Sequence, residues 1–495
     1  MKETVHETIT VSEERSPRNY LVRQERISLP QNRCYLTIRN SQLEVINYTP
    51  FGLLARTALR LEIGEEFPEI ALTYDGMDIG TYHLRVTRSQ TLSPPADKVT
   101  HMTPNSVALE VIGEPLDTLL ISAIDKAATI LDSHKEERQR HSAIPALFKQ
   151  KVLEVKDWLE TLQENCESLE NDLDWERPDV MALRDNIAQV IGGWIGNEIP
   201  AIYEAIQREF QTLDEEQIRD CVDYLRDKLR HLVYRSPLAD RAFKKPLGYA
   251  GDHQMMSIVY DNQHAGDSLF AKCVHQYFMQ ESATKAVQNR AHYLKNKIKD
   301  LLLVTQGDRP LKIISVACGP AKEIELLMEE EPDLRRYNLE VVLLDQDLGA
   351  LQEAQRRMMK LTRKYPSNFK FKYLNLAIKN IIVRGLPESD FDMVYSAGLF
   401  DYFSDPVVLM AADRLFRGVR ENGTMIIGNF DVKNPSQRMM ELVMDWELIY
   451  RSEDDLRRLF GHLPGTVSVE EEEEKVNLFC NVTKLGAKQN NGSQS

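Results

Sequence analysis

Two periodicities divide the chain. From about Arg33 to Gly113, short runs rich in β-branched and aromatic residues alternate with turns: Cys34 to Ile38, Leu43 to Ile46, Gly52 to Ala55, Glu69 to Tyr74, Ile79 to Val86 and Val107 to Val111. Such spacing predicts a small all-β module. Asn47-Tyr48-Thr49-Pro50-Phe51-Gly52 reads as its strongest turn. From Leu116 to about Leu303 the apolar positions move to helical spacing, as in Val152, Leu153, Val155, Trp158, Leu159 and Leu162. Further helices are predicted around Val180–Trp194, Ala201–Phe210, Glu215–Tyr234 and Leu269–Phe278, with an interruption at Asp174-Trp175-Glu176-Arg177-Pro178.

From Leu311 onward strands and helices alternate. Strands are predicted at Lys312–Ala317, Glu340–Leu344, Phe369–Asn375, Phe391–Ser396, Gly423–Asn429 and Asn477–Thr483, with helices between them that include Pro406–Val419 and Ser436–Tyr450. This alternation is the pattern of a doubly wound α/β sheet. The organisation is therefore multidomain: a polar lead-in (1–28), a small β-module (29–115), an α-helical linker or cap (116–300), an α/β Rossmann-like domain (301–486) and a polar tail expected to be disordered (487–495). The run Glu470–Glu474 reads as a solvated loop before the last strand.

Length and charge narrow the function. At 495 residues, two or three domains are expected. A net charge of -15 argues against general nucleic-acid binding. No apolar run approaches the roughly 20 residues needed to span a bilayer, and Met1 to Arg15 lacks an apolar signal core. The expected location is cytoplasmic. Six scattered cysteines form no CxxC pair, so neither a metal site nor a disulfide framework is expected.

The chemistry concentrates at one turn. An apolar run, Lys312 to Val316, stops at Ala317-Cys318-Gly319-Pro320-Ala321, and a helical pattern begins at once with Glu323, Ile324, Leu326 and Leu327. A second apolar run ends in Asp345. In a βαβ unit such a turn lets backbone approach a ligand, and the strand-end acid takes ribose hydroxyls. Only Gly319 of a full GxGxxG is present, which points away from a pyrophosphate cofactor. Asp347, two residues on, is expected to cap the next helix.

This turn and acid resemble class I S-adenosylmethionine (SAM)-dependent methyltransferases over about residues 300–486. The resemblance implies SAM as cofactor. It assigns Ala317, Gly319 and Ala321 to the small-residue turn, Asp345 to the ribose and Asn375, with Leu376 beside it, to the adenine side. Ser315 stands where many members carry an acid. Ser396 to Tyr402 falls where the family places residues beside the reactive methyl group, so Ser396, Asp401 and Tyr402 are candidates there. Upstream, Gly248-Tyr249-Ala250-Gly251-Asp252-His253 is a loop of turn residues and reactive groups. It is read either as an active-site loop carrying Tyr249 and His253, or as a connection in which Asp252 caps the following helix. Arg290 is a candidate for the cofactor carboxylate or an anionic substrate, reached through paired N–H donors, with a surface ion pair as its alternative.

The combination KPLGYAGDHQMM, QNRAHYL, VACGPAKE, SAGLFDYF and DWELIYR resembles bacterial proteins of 3-hydroxypalmitic acid methyl ester biosynthesis, over about residues 200–485. That resemblance implies methyl transfer to the carboxyl group of a fatty-acid-like acceptor, small or carrier-bound, giving a signal ester. A carboxylate needs alignment rather than a base; a hydroxyl or amine acceptor would need one, with His253 or Asp401 the candidates. Tyr249, Tyr402, Trp446 and Tyr450 are candidates for lining an acceptor pocket.

The turn after Asn47 resembles the PilZ domain, a small β-barrel that binds cyclic di-GMP. Asn47 and Gly52 match its motif and Thr49 replaces a serine, while Arg23, Arg26 and Arg33 do not form the arginine pair at the family's spacing. The resemblance implies a PilZ-like barrel and leaves cyclic di-GMP open as a ligand. A signalling protein whose methyltransferase domain binds SAM or a partner without catalysis is the competing reading.

Overall fold

The structure, a computed structural model, describes residues 26–91, 105–172, 177–261, 263–305 and 309–486. The lead-in before Arg26, Arg23, the interruption at Asp174 to Glu176 and the tail 487–495 lie outside the described residues. The chain divides into two compact units, one ending at Ser142 and one starting at Ala143.

The first unit is an antiparallel barrel. Its strands are β1 (Ile27–Ser28), β2 (Cys34–Ile38), β3 (Ser41–Thr49), β4 (Gly52–Thr57), β5 (Glu66–Tyr74), β6 (Met77–Thr91) and β7 (Asn105–Ile112). The order β3-β2-β5-β6-β7-β4 closes on itself because β4 also pairs with β3, and β1 adds to β3. Strict alternation builds the interior: Leu53 and Ala55 of β4 and Val107 and Leu109 of β7 point in with Leu36, Leu72 and Leu84. The left-handed pair Asp75-Gly76 joins β5 to β6, the turn whose twist suits a hairpin. The predicted turn at Asn47–Gly52 is tighter than expected: Asn47 to Thr49 complete β3, and only Pro50 and Phe51 turn. Helix α1 (Thr118–Ala143) lays Ile121 and Ala128 on this core, and its Asp125 accepts from the Tyr74 hydroxyl. Arg33 is committed to Asp75 and Asp132.

The second unit joins a helical layer to a mixed sheet. The helices are α2 (Ala146–Asp172), α3 (Pro178–Phe210), α4 (Glu215–Val233), α5 (Pro237–Lys244), α6 (His253–Asp261), α7 (Leu269–Gln280) and α8 (Ser282–Val304). The two helices expected within 180–210 are one, since α3 continues through Pro200. Then come β8 (Leu311–Val316), α9 (Lys322–Glu330), β9 (Leu339–Asp345), α10 (Leu348–Lys364), β10 (Phe369–Asn375), α11 (Ile378–Arg384), β11 (Phe391–Ser396), α12 (Asp405–Arg417), β12 (Val419–Phe430), α13 (Gln437–Met444), α14 (Glu453–Phe460), β13 (Gly465–Glu471) and β14 (Asn477–Lys484). The sheet order is β10-β9-β8-β11-β12-β14-β13, with β8 to β12 parallel and the last two strands antiparallel. Strands β8, β9 and β11 are buried almost throughout, as parallel strands covered on both faces must be. Helices α8, α9 and α10 cover one face and α11, α12 and α14 the other.

Two expectations are corrected. Predicted helix 436–450 ends at Met444: Asp445 turns left-handed (φ 52), and its N–H and that of Trp446 both return to Met440 O. The acidic run is not a solvated loop. Glu470 and Glu471 finish β13, and Glu472 is buried, its carboxylate accepting from the N–H groups of Glu474, Val476 and Asn477 and from Asn289. Like charges in a sequence run hide that one of them can serve as a turn acceptor. All six cysteines are buried free thiols, and among the described residues no helix is long and apolar enough to cross a membrane.

Asp392, at the start of β11, ties three segments. Its fully buried carboxylate accepts from both Arg309 and Arg420 and, at 2.9 Å, from Lys312 N. Burial opposes its charge, but these donors outweigh it and hold the carboxyl below the usual range. A depressed carboxylate contributes stability above its unfolded pKa, and this is lost as pH falls through the folded value. Asp392→Asn should therefore destabilise the fold at pH 7 by about 2–3 kcal/mol, less than a fully buried pair would lose because both arginines are part-exposed. Denaturant titrations at pH 7 and pH 3.5 check this; an equal loss at both would refute it.

Candidate active site

The sheet reverses its winding between β8 and β11, and crevices outside the carboxyl ends of strands at such a point are where α/β sheets bind ligands. A cleft of about 330 Å³ lies there, within the range of small-molecule sites. Its walls come from the β8–α9 turn, the end of β9, the residues after β10 and β11, and α6 and α8.

The β8–α9 turn is an alternation of left-handed residues: Ala317 at φ 56, Gly319 at φ 50 and Ala321 at φ 53. Two alanines in this region cost roughly 1–2 kcal/mol each, strain of the kind that accumulates at functional sites. At Gly319 a side chain would meet nothing within 4 Å, so the turn is bare toward the cleft. Its N–H groups are spent internally. Cys318 N donates to Leu344 O (3.1 Å), Gly319 N to Asp345 Oδ2 (3.1 Å) and Ala321 N to Cys318 O (3.0 Å); Pro320 has none.

Asp345 is buried and lines the cleft. Its other oxygen, Oδ1, accepts from Asp347 N at 2.9 Å. Burial raises its pKa against these two backbone donors. Asp347 caps α10 as expected, accepting from Gly349 N (2.8 Å), and also takes Nδ1 of His253 at 2.8 Å. Tyr249 faces the same acids; burial and then the Asp345, Asp347 and Asp252 carboxylates push its phenol up to about 12.

The 245–252 loop serves both readings. Asp252 caps α6 through Met255 N (2.8 Å) and holds Arg241 at 2.8 and 2.7 Å. At the same time Tyr249, Gly251 and His253 line the cleft. Gly251 adopts φ +74, and a Cβ there would lie 2.9 Å from the Tyr402 hydroxyl and 2.8 Å from the Trp446 ring. That hydroxyl donates to Ala250 O (3.1 Å) and accepts from Trp446 Nε1 (3.0 Å), closing the loop over the cleft.

Of the sequence candidates, Ser315, Ala317, Gly319, Asp345, Arg290, Tyr249, His253, Tyr402 and Leu376 reach the wall. Ala321 stands behind it as the left-handed residue preceding α9. Asn375 is turned away: its amide donates to Asp345 O and Gln346 O, bracing the β9 end, and Leu376 and Ile378 take the wall instead. Ser396 bonds Val316 O at 2.9 Å and pins β11 to β8. Asp401 is buried with Oδ1 on Phe430 N (2.7 Å), beneath the wall rather than in it. Tyr450 packs in the helical core. Sequence reasoning missed Met256, Tyr260 and Glu323, which also line the cleft. Glu323 is a carboxylate on the buried face of an amphipathic helix, and that mismatch was its available signal.

No protein-family model matches the chain, and no curated protein matches it. Among solved structures it is similar to a possible exported protein from Bordetella parapertussis, at 15% identity over 62% of this chain and 95% of that one (TM-score 0.40). It is also similar to the CMeT domain of the citrinin polyketide synthase, at 12% over 69% and 98% (TM-score 0.38). A third likeness is to magnesium protoporphyrin IX methyltransferase from Synechocystis PCC 6803 with bound SAM, at 12% over 41% and 83% (TM-score 0.30).

Proposed function

We propose that the second unit is a SAM-dependent methyltransferase acting on the carboxyl group of a fatty-acid-like acceptor, with the barrel a PilZ-like module attached to it. The observation that carries the cofactor class is the exhausted turn. Residues 318 to 321 offer the cleft no free N–H, and a carboxylate lies directly under them. A pyrophosphate needs the opposite, free N–H groups and no anion. An adenosine bearing a sulfonium would meet both conditions: Asp345 would accept from its ribose hydroxyls, and its positive charge would be favoured near the acids. Leu376 and Ile378 supply an apolar wall suited to adenine.

When bound, SAM supplies an activated methyl group. The chain's own task is to orient the acceptor and exclude water. The Tyr402–Ala250 and Trp446–Tyr402 bonds hold the Gly251 loop over the cleft for that purpose. The motif resemblance supports a carboxyl acceptor, and so does the placement of the candidate base Asp401. Asp401 is spent on Phe430 N. His253 sits on the Asp345–Asp347 side, its ring beside Gly349 at the head of α10. The His253–Asp347 pair favours one second reading, a hydroxyl or amine acceptor with His253 as base.

Three outcomes are expected. Asp345→Ala should weaken SAM binding by roughly 30-fold or more, about 2 kcal/mol for lost bonds to a charged acceptor, with circular dichroism unchanged; unaltered affinity by calorimetry removes Asp345 from the site. S-adenosylhomocysteine release should appear with long-chain carboxylic acids and persist within about tenfold in His253→Ala. Release only with hydroxyl or amine acceptors, abolished in that variant, supports the second reading instead, and no release with any acceptor despite SAM binding supports a non-catalytic role. Asp401 is held up at about 6 by burial, against Phe430 N, Arg290 and Arg451. A raised carboxylate favours the fold at low pH and loses that contribution as pH climbs through the folded value. Asp401→Asn should therefore raise thermal stability more at pH 8 than at pH 5; the reverse order would contradict the buried-acid assignment.

A further inference from the structure

Two buried charges in the cleft are left without an ion-pair partner among the described residues. Arg290 is 9% exposed. Its Nη2 meets the Met256 sulfur at 2.9 Å, and its Nε has no partner. The Tyr260 hydroxyl is beside it. Glu323, in the first turn of α9, is 7% exposed. Its Oε1 accepts from the Tyr395 hydroxyl at 2.8 Å, and Ser315 lies near enough to favour its charged form. Both residues line the cleft and feel each other's field, yet they form no ion pair.

Opposite charges in a low-dielectric site attract strongly, so something holds them apart. On one side it is close packing: a Cβ at Gly398 would lie 2.6 Å from Nη1 of Arg290. On the other, the Tyr395 hydroxyl tethers the carboxylate to the sheet. Burial leaves Glu323 above the usual carboxylate range, a cost that a cation at the site would offset. An unpaired guanidinium and an unpaired carboxylate in one cleft are complementary to a zwitterion.

We propose that Glu323 and Arg290 together hold the α-amino-acid end of the bound ligand, Glu323 taking its ammonium and Arg290 its carboxylate. The assignment rests on the SAM reading above and deepens it. It also accounts for Ser315. The acid absent from the end of β8 is supplied from α9, and the serine is small enough to admit it and polar enough to favour its charge.

Calorimetry with four ligands tests the assignment: SAM, S-adenosylhomocysteine, decarboxylated SAM and 5′-methylthioadenosine. Glu323→Gln keeps an acceptor for Tyr395. It should weaken the first three ligands at least tenfold and leave methylthioadenosine, which has no ammonium, within twofold. Arg290→Met should weaken SAM and S-adenosylhomocysteine at least tenfold and leave the other two, which have no carboxylate, within twofold. Equal losses across all four ligands would mean a structural role and overturn the proposal, as would no loss in either variant. Wild-type protein that binds methylthioadenosine but not SAM would overturn it while sparing the adenosine site. Wild-type protein that binds none of the four overturns the SAM reading and this assignment with it.

Discussion

The carboxylate of Asp345 is the constraint on which the cleft depends. One oxygen accepts Gly319 N and so fixes the left-handed turn after β8; the other accepts Asp347 N and fixes the start of α10. Two βα turns from adjacent strands are thereby locked in register by one side chain at the end of β9. The consequences propagate outward. With Gly319 held, Ala317 and Ala321 are confined to a region that alanine rarely occupies. With Asp347 held, its own carboxylate is aimed at Gly349 and His253, which ties the head of α6 to the head of α10. A single acid thus shapes the turn, orients the second acid and positions the helix that carries Met256 and Tyr260.

Local patterns showed most of the elements and the place of the cleft, because both rest on short-range signals. Buried parallel strands read as apolar runs, and β10 and β11 begin and end where their β-type residues do. The Gly319–Asp345 spacing located the cleft because a βαβ unit has a narrow range of lengths. What was not legible is what depends on distant partners. Asn375 and Leu376 look interchangeable as strand-end residues, and only the path of the β9 end decides which faces the cleft. Asp401 reads as a reactive acid in an unusual loop, and only the position of Phe430 N shows it to be a buried tie. The helix that continues through Pro200 and the burial of Glu472 are tertiary overrides of the same kind.

Glu323 is the clearest case of a residue whose meaning lies outside its own segment. Within α9 it belongs to an amphipathic pattern and sits in the first turn, where acids suit the helix dipole. Its side chain instead points at the sheet, where the Tyr395 hydroxyl bonds it and Ser315 lies beside it. Two strands must be side by side for those hydroxyls to converge, and the pairing of Tyr395 with Ser315 across β11 and β8 brings them together. The polar residues in otherwise apolar strands therefore mark where a charge arrives from a helix.

Charge compensation separates the two ends of this sheet. At the amino end of β11, Asp392 is as deeply buried as any residue, yet Arg309, Arg420 and Lys312 N satisfy it, and its pKa falls. At the carboxyl ends, Asp345, Glu323 and the nearby Asp401 are all raised by burial, and Arg290 keeps an orphan Nε. Burial alone does not distinguish the two ends; the supply of partners does. A fold that satisfies its buried charges at one end can satisfy them at the other, so the deficit at the carboxyl ends is better understood as a place kept for a ligand than as poor packing. The deficit includes both signs, held apart in one cleft, and a ligand that carries both would answer it.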